Sequence, residues 1–247
     1  MKKRYKIIIG TVLAVLIAFT FFFLNIKFGT DASKKALEGV SEVKQTDVSE
    51  RVDSKKAEYN KLKKLKKLNK DTVAIIKIDK TDIYYPVMQS KDNKDYLRKN
   101  INGNFDLNGS IFMDYECRFD KSDNTILYGH NMESENMFSD LVKYNNRDFY
   151  EKHRDIYLYG ENKEIKYRVI GVYSLDVTKE STYDFNIYVK NDARTNPVKY
   201  IENLKPHMVF FDKNAKIDSN SRFLTLSTCS DTAGQYRTVV VAEKIAN

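Results

Sequence analysis

Beyond about Asp71 the chain breaks into short runs in which apolar and polar residues alternate. Valine, isoleucine, tyrosine and phenylalanine dominate them. A period of two is the mark of a half-buried strand. The pattern predicts strands over residues 73–78, 83–87, 110–113, 125–128, 156–159, 165–173, 208–211, 223–228 and 238–242. So many short strands in one domain predict an all-β barrel or sandwich. Two helical interruptions are expected. Residues 137–153 carry weak helical spacing. Asn196-Pro197 ahead of "VKYIENLK" reads as a capped helix in the long connection between the sixth and seventh strands, with asparagine at the cap and proline in the first turn.

The pattern is different before Asp71. Residues 7–24, "IIIGTVLAVLIAFTFFFL", carry no charge and follow the basic "MKKRYK". As a helix this run spans roughly 27 Å, close to a hydrocarbon core of about 30 Å. A cleaved secretory signal usually has a shorter apolar stretch and ends at small residues. This run ends in Phe-Phe-Phe-Leu-Asn. The reading is a cytoplasmic tail over 1–6, an uncleaved single-pass anchor over 7–27, and everything beyond it outside the cell, since basic flanks stay inside. Residues 28–70 read as a lysine-rich helical stalk. Leu62, Leu65 and Leu68 form a narrow stripe that packs on the domain, in preference to a basic helix seeking anionic polymer or lipid. Residues 71–247 read as the β-rich domain, the one expected to carry any chemistry.

Charge follows this division. The chain of 247 residues has a formal net charge of +8. Residues 1–70 hold 17 Lys/Arg against 7 Asp/Glu, and the remainder 25 against 27. The folded part is nearly neutral, which argues against nucleic-acid binding. The histidines are scattered and the two cysteines have no ligand spacing, so no metal and no cofactor is expected.

An outside location sharpens the question of Cys117 and Cys229. They either form one disulfide or leave a reactive thiol. In "FLTLSTCS", Leu224, Leu226 and Thr228 fall on one face. Phe223, Thr225, Ser227 and Cys229 fall on the other, with Cys229 at the strand's end. That placement suits a thiol at the mouth of a groove, and equally a small core residue or a disulfide half. A thiol nucleophile needs a histidine partner. His153 and His207 read as surface residues, whereas His130 closes "TILYGH" at a strand-to-loop junction. Arg237 opens the last strand. Antiparallel pairing of that strand with the one ending at Cys229 returns it beside the cysteine, where a guanidinium can hold an oxyanion.

Taken in order, "TLSTC", the upstream His130 and the downstream Arg237 resemble the sortase family of Gram-positive cysteine transpeptidases over most of the chain from Asp71. "KDNKDYLRKN", the helical connection and "VVVAEKI" are most similar to class B. The resemblance implies a closed eight-stranded β-barrel with an N-terminal helical segment and a helix before the last strands. It implies Cys229 as nucleophile, His130 as acid–base and Arg237 as oxyanion or backbone holder. Asn93, Leu97, Ser227 and Thr228 would line the peptide groove, and Asp231 would be a further candidate there or behind His130. Cys117 matches no catalytic position and is expected to remain a thiol. The implied partners are secreted proteins with a C-terminal sorting motif and a cell-wall peptidoglycan amine. Two other readings stand beside this one: a hydrolytic cysteine peptidase with the same residues, and a non-catalytic, disulfide-bonded surface binding module.

Overall fold

The computed structural model describes residues 16–17, 20, 32–39, 50–132, 135–176, 196–229 and 236–245. Most of the apolar run over 7–24 lies outside the described residues. Among those described, no helix is long and apolar enough to cross a membrane.

Each of the nine alternating runs is a strand: β1 Thr72–Ile78, β2 Tyr84–Met88, β3 Ile111–Met113, β4 Asn124–Tyr128, β5 Asp155–Gly160, β6 Lys163–Asp176, β7 Met208–Phe211, β8 Phe223–Cys229 and β9 Tyr236–Lys244. Their order is β5-β1-β2-β3-β4-β8-β9-β6-β7, and β5 also pairs with β6. Eight strands therefore close into a barrel. The ninth, β7, is a short flap. It takes the edge of β6 at Gly171–Tyr173, past the stretch that pairs with β5. β6 can serve three neighbours because it is 14 residues long.

Alternation along the strands sorts side chains into a core and two outer clusters. Ala74, Ile76, Ile78, Val87, Met113, Leu127, Leu224 and Leu226 belong to the barrel core. Ile75, Met88, Phe112 and Tyr159 face outward into a cluster covered by helix α1, Glu50–Leu68. Leu62 and Leu65 of α1 are buried there, while Leu68, one step further along the stripe, is 54% exposed. Each fully buried leucine contributes about 1.5–3 kcal/mol. A polar latch joins the same surfaces: Tyr84 donates to Glu58 at 2.8 Å and accepts from Lys61 at 2.7 Å. Burial and the Glu58 carboxylate push the Tyr84 phenol well above its ordinary range.

The weak helical spacing over 137–153 resolves into two pieces, a 3-10 turn at Ser139–Asn145 and helix α2 at Arg147–Lys152. Asn146 separates them. Its backbone is extended, and its side chain accepts from the amides of Asp148 and Phe149, the capping role asparagine favours. Helix α3, Pro197–Leu204, has the expected start, with the Asn196 side chain accepting from Lys199 N at 3.0 Å. It lays Tyr200, Ile201 and Leu204 over Phe223, Val239 and Val241, covering the lower outer face of β8 and β9. The upper ends of those strands extend beyond this cluster.

Candidate active site

The site follows from strand register. β4 and β8 run parallel, with Asn124 opposite Phe223 and, four steps on, Tyr128 opposite Ser227. Gly129 N donates to Ser227 O at 3.2 Å, which continues the ladder past the end of β4. His130 follows directly after Gly129, just past the last paired position of β4. On the other side of β8, Cys229 pairs directly with Arg237 of antiparallel β9. Neighbouring strands lie about 4.8 Å apart, so the Cys229 and Arg237 backbones are one strand spacing apart, with His130 following the end of β4 on the other side of β8. Leu224 and Leu226 pack in the barrel core while Phe223 packs under α3, the alternation along β8 that the sequence pattern implied.

Gly129 is required for this geometry. A Cβ there would lie 2.4 Å from Ile111 Cδ1 and 2.8 Å from two ring carbons of Phe138. Phe138 in turn donates its amide to the His130 carbonyl at 2.9 Å. The histidine backbone is thus fixed by the β4–β8 ladder on one side and by Phe138 on the other.

The imidazole is half-buried. Its Nε2 lies 3.0 Å from the carbonyl of Leu97 and 3.2 Å from Arg98 Nη1. Burial lowers the His130 pKa below the usual histidine range. The Leu97 carbonyl opposes this, and the positive charges of Arg98 and Arg237 reinforce it. Arg237 is also felt by the Tyr128 phenol on β4, so the guanidinium belongs electrostatically to the same cluster. Tyr128 donates to Asp114 at 3.0 Å. Burial, with Asp114 next, pushes that phenol far above its normal range.

Asp114 is a buried hub. One carboxylate oxygen accepts from Tyr128 and from Asn93 Nδ2, the latter at 2.8 Å. Asn93 Oδ1 accepts from Tyr115 N at 3.0 Å. The amide of Asn93 thus braces the segment that carries Leu97. The side chain of Leu97 is 38% exposed next to the site. Ser227 is 1% exposed, and among the described residues its hydroxyl has no hydrogen-bond partner. Thr228 is fully buried on the Leu224 and Leu226 side of the wall. For Cys229 the backbone position is described, and Asp231 lies outside the described residues. The sequence reading missed Arg98, Asp114 and Tyr128. "DYLR" and "MDYE" contain two of them, but no spacing in the sequence announces that they meet His130 or each other.

Cys117 is buried and keeps its thiol, which points to Asn124 O at 3.4 Å. That removes the disulfide-bonded binding module. Among the described residues no group of His, Cys, Asp and Glu is placed to hold a metal ion.

Cys229 paired with Arg237 at one end of a closed β-barrel, with His130 just past the neighbouring strand β4, fits a thiol-dependent acyl-transfer enzyme. Residues 76–245 match the Sortase domain family. The chain is 37% identical to sortase B of Listeria monocytogenes over 180 residues, 72% of this chain and 70% of that protein. It is 36% identical to sortase B of Staphylococcus aureus over 184 residues, 73% of each. The Staphylococcus aureus sortase B–substrate complex superposes with a TM-score of 0.72 at 28% identity, covering 89% of this chain and 97% of that one. This chain belongs to the sortase family, class B. It is a cysteine transpeptidase, and its family works at the cell surface.

Proposed function

We propose that this chain is a membrane-anchored transpeptidase that cleaves secreted proteins after the threonine of a C-terminal sorting motif and joins them to a peptidoglycan amine. The observation that supports the reading is the pairing of Cys229 with Arg237 on β8 and β9, with β4, the strand that leads into His130, paired with β8 on its other side. The Cys229 thiolate attacks the threonine carbonyl carbon, and a C–S bond forms. Arg237 holds the oxyanion or the adjoining backbone. The scissile C–N bond breaks as His130, in its imidazolium form, gives its proton to the leaving amine. The thioester remains. A cell-wall amine then attacks it, neutral His130 takes the amine proton, and the thiolate leaves. Atoms and charge balance without a cofactor.

Leu97, exposed beside His130, fits a role in holding the peptide, whereas Ser227 is buried. Class B resemblance favours an N-P-x-T-x-like motif. The uncharged run over 7–24, with basic residues before it, supports a single-pass anchor with the N-terminus in the cytoplasm and the barrel outside.

The test is a peptide library cleaved in the presence and absence of a glycine-type amine. Ligated product is expected when the amine is present, and none with Cys229→Ala. Arg237→Lys should lower kcat/KM by roughly 10²–10³-fold, the usual cost of an oxyanion contact. Cleavage that yields acid alone at every amine concentration would favour the hydrolytic peptidase instead.

A further inference from the structure

Two groups compete for one nitrogen of His130. The Leu97 carbonyl is 3.0 Å from Nε2 and can bond only if Nε2 carries a proton. Arg98 Nη1, a donor, is 3.2 Å from the same nitrogen and can bond only if Nε2 presents its lone pair. Both bonds cannot exist together. Arg98 has another acceptor, the Leu107 carbonyl at 2.7 Å, which asks nothing of the histidine. The Leu97 carbonyl cannot move away. Gly109, at φ +60, packs so closely beneath it that a Cβ would lie 2.6 Å from the carbonyl oxygens of both Tyr96 and Leu97. Ser110 N holds Tyr96 O at 3.0 Å, Asp106 N holds Arg98 O at 2.9 Å, and the buried Tyr96 phenol donates to Asp71 at 2.7 Å. The braced carbonyl therefore wins the nitrogen.

We propose that Leu97 and Arg98 act as a proton-setting clamp on His130. The Leu97 carbonyl keeps one proton on Nε2 and so reserves Nδ1 for the exchanges of catalysis. Arg98 is a positioning residue whose nearby charge resists a second proton on the ring. Among the described residues, the other charged group reaching the ring is Arg237 from β9. Cys229 lies level with it on β8. The backbone ties make Leu97 the fixed partner, and exposed Arg98 the movable one. The catalytic consequence is a small standing fraction of imidazolium, and so a slow first turnover. This inference rests on His130 being the acid–base of the proposed reaction.

The chain has three histidines, so histidine-labelled full-length protein can be read residue by residue. Nitrogen-15 spectra at neutral and alkaline pH should show His130 protonated on Nε2, with a bare Nδ1. In Arg98→Met the His130 titration should move to higher pH, and the acid limb of kcat/KM should move with it. Arg98→Lys, which keeps the charge, should restore most of both. Loss of rate in Arg98→Met should stay below the roughly 10²-fold that marks loss of the acid–base group itself. Unchanged His153 and His207 signals report an intact fold. A ring protonated on Nδ1 in the wild type, or a His130 titration that does not move in Arg98→Met, overturns the clamp. His130→Gln retaining full transpeptidation would instead sink the acid–base assignment, whatever the spectra show.

Discussion

Gly129→Ala inserts one methyl group at the point where barrel packing and the reaction site share atoms. Carbon atoms rest about 3.5–4.0 Å apart. The new methyl would find Ile111 Cδ1 at 2.4 Å and Phe138 Cδ2 and Cγ at 2.8 Å. Neighbours must therefore retreat by roughly 1 Å. Ile111 is 1% exposed and Phe138 0%, so neither can turn toward water. Overpacking of this kind costs about 1–3 kcal/mol. At about 2–4 °C per kcal/mol for a chain of this size, the melting temperature should fall by roughly 2–12 °C. The effect should reach the chemistry, because Phe138 N holds His130 O at 2.9 Å. A misplacement near 1 Å can cost about 10²-fold in rate. Thermal unfolding and peptide-cleavage kinetics on the full chain measure the two losses. Ile111→Val deletes the atom struck first, so the double variant should be less destabilised than the sum of the two single changes. Gly129→Ala with an unaltered melting temperature and unaltered kcat/KM would refute the packing argument.

Two further outcomes follow from the fold and the electrostatics. Leu65→Ala empties a position of 0% exposure under α1. Its urea midpoint should show a loss of about 2–5 kcal/mol, and a change near zero would mean that α1 does not rest on the barrel. The second concerns pH. Folded His130 holds its proton less tightly than the ordinary value of 6.5, chiefly through burial. The unfolded chain then takes up a proton that the native state declines. Native stability from this group is whole above pH 6.5 and is lost as pH falls from there through the lower folded value. The drop in melting temperature between pH 7.5 and 5.5 should be smaller in His130→Gln than in the wild type, and equal drops would count against the shift.

The strands were legible because alternation is a local property. Residues two apart share a face whichever strand lies alongside, so β1 to β9 could be read without knowing their order. The β8–β9 pairing was also within reach, since a short link between two runs implies antiparallel neighbours, and Cys229 does pair with Arg237. The parallel union of β4 with β8 was beyond any local signal: it joins residue 124 to residue 223. The expectation that His130 meets Cys229 therefore came to the sequence reading through the family resemblance. Arg98 escaped notice for a related reason. A lone arginine in a polar segment looks solvated, and only the brace under Leu97 brings it to the imidazole. The single helix expected over 137–153 became two because Asn146 favours capping over helix interior. Thr228 was expected along the groove, yet it is fully buried, on the Leu224 and Leu226 side of β8.

The late meeting of β4 and β8 also has a meaning in time. Long-range parallel pairing is slow to form, because the chain must close a large loop before any contact rewards it. Until those two strands meet, the segment leading into His130 has no place beside β8, although Cys229 and Arg237 can already pair across β8 and β9. On the function proposed above, a half-made copy of this protein would lack its acid–base group, and closure of the barrel would complete the site.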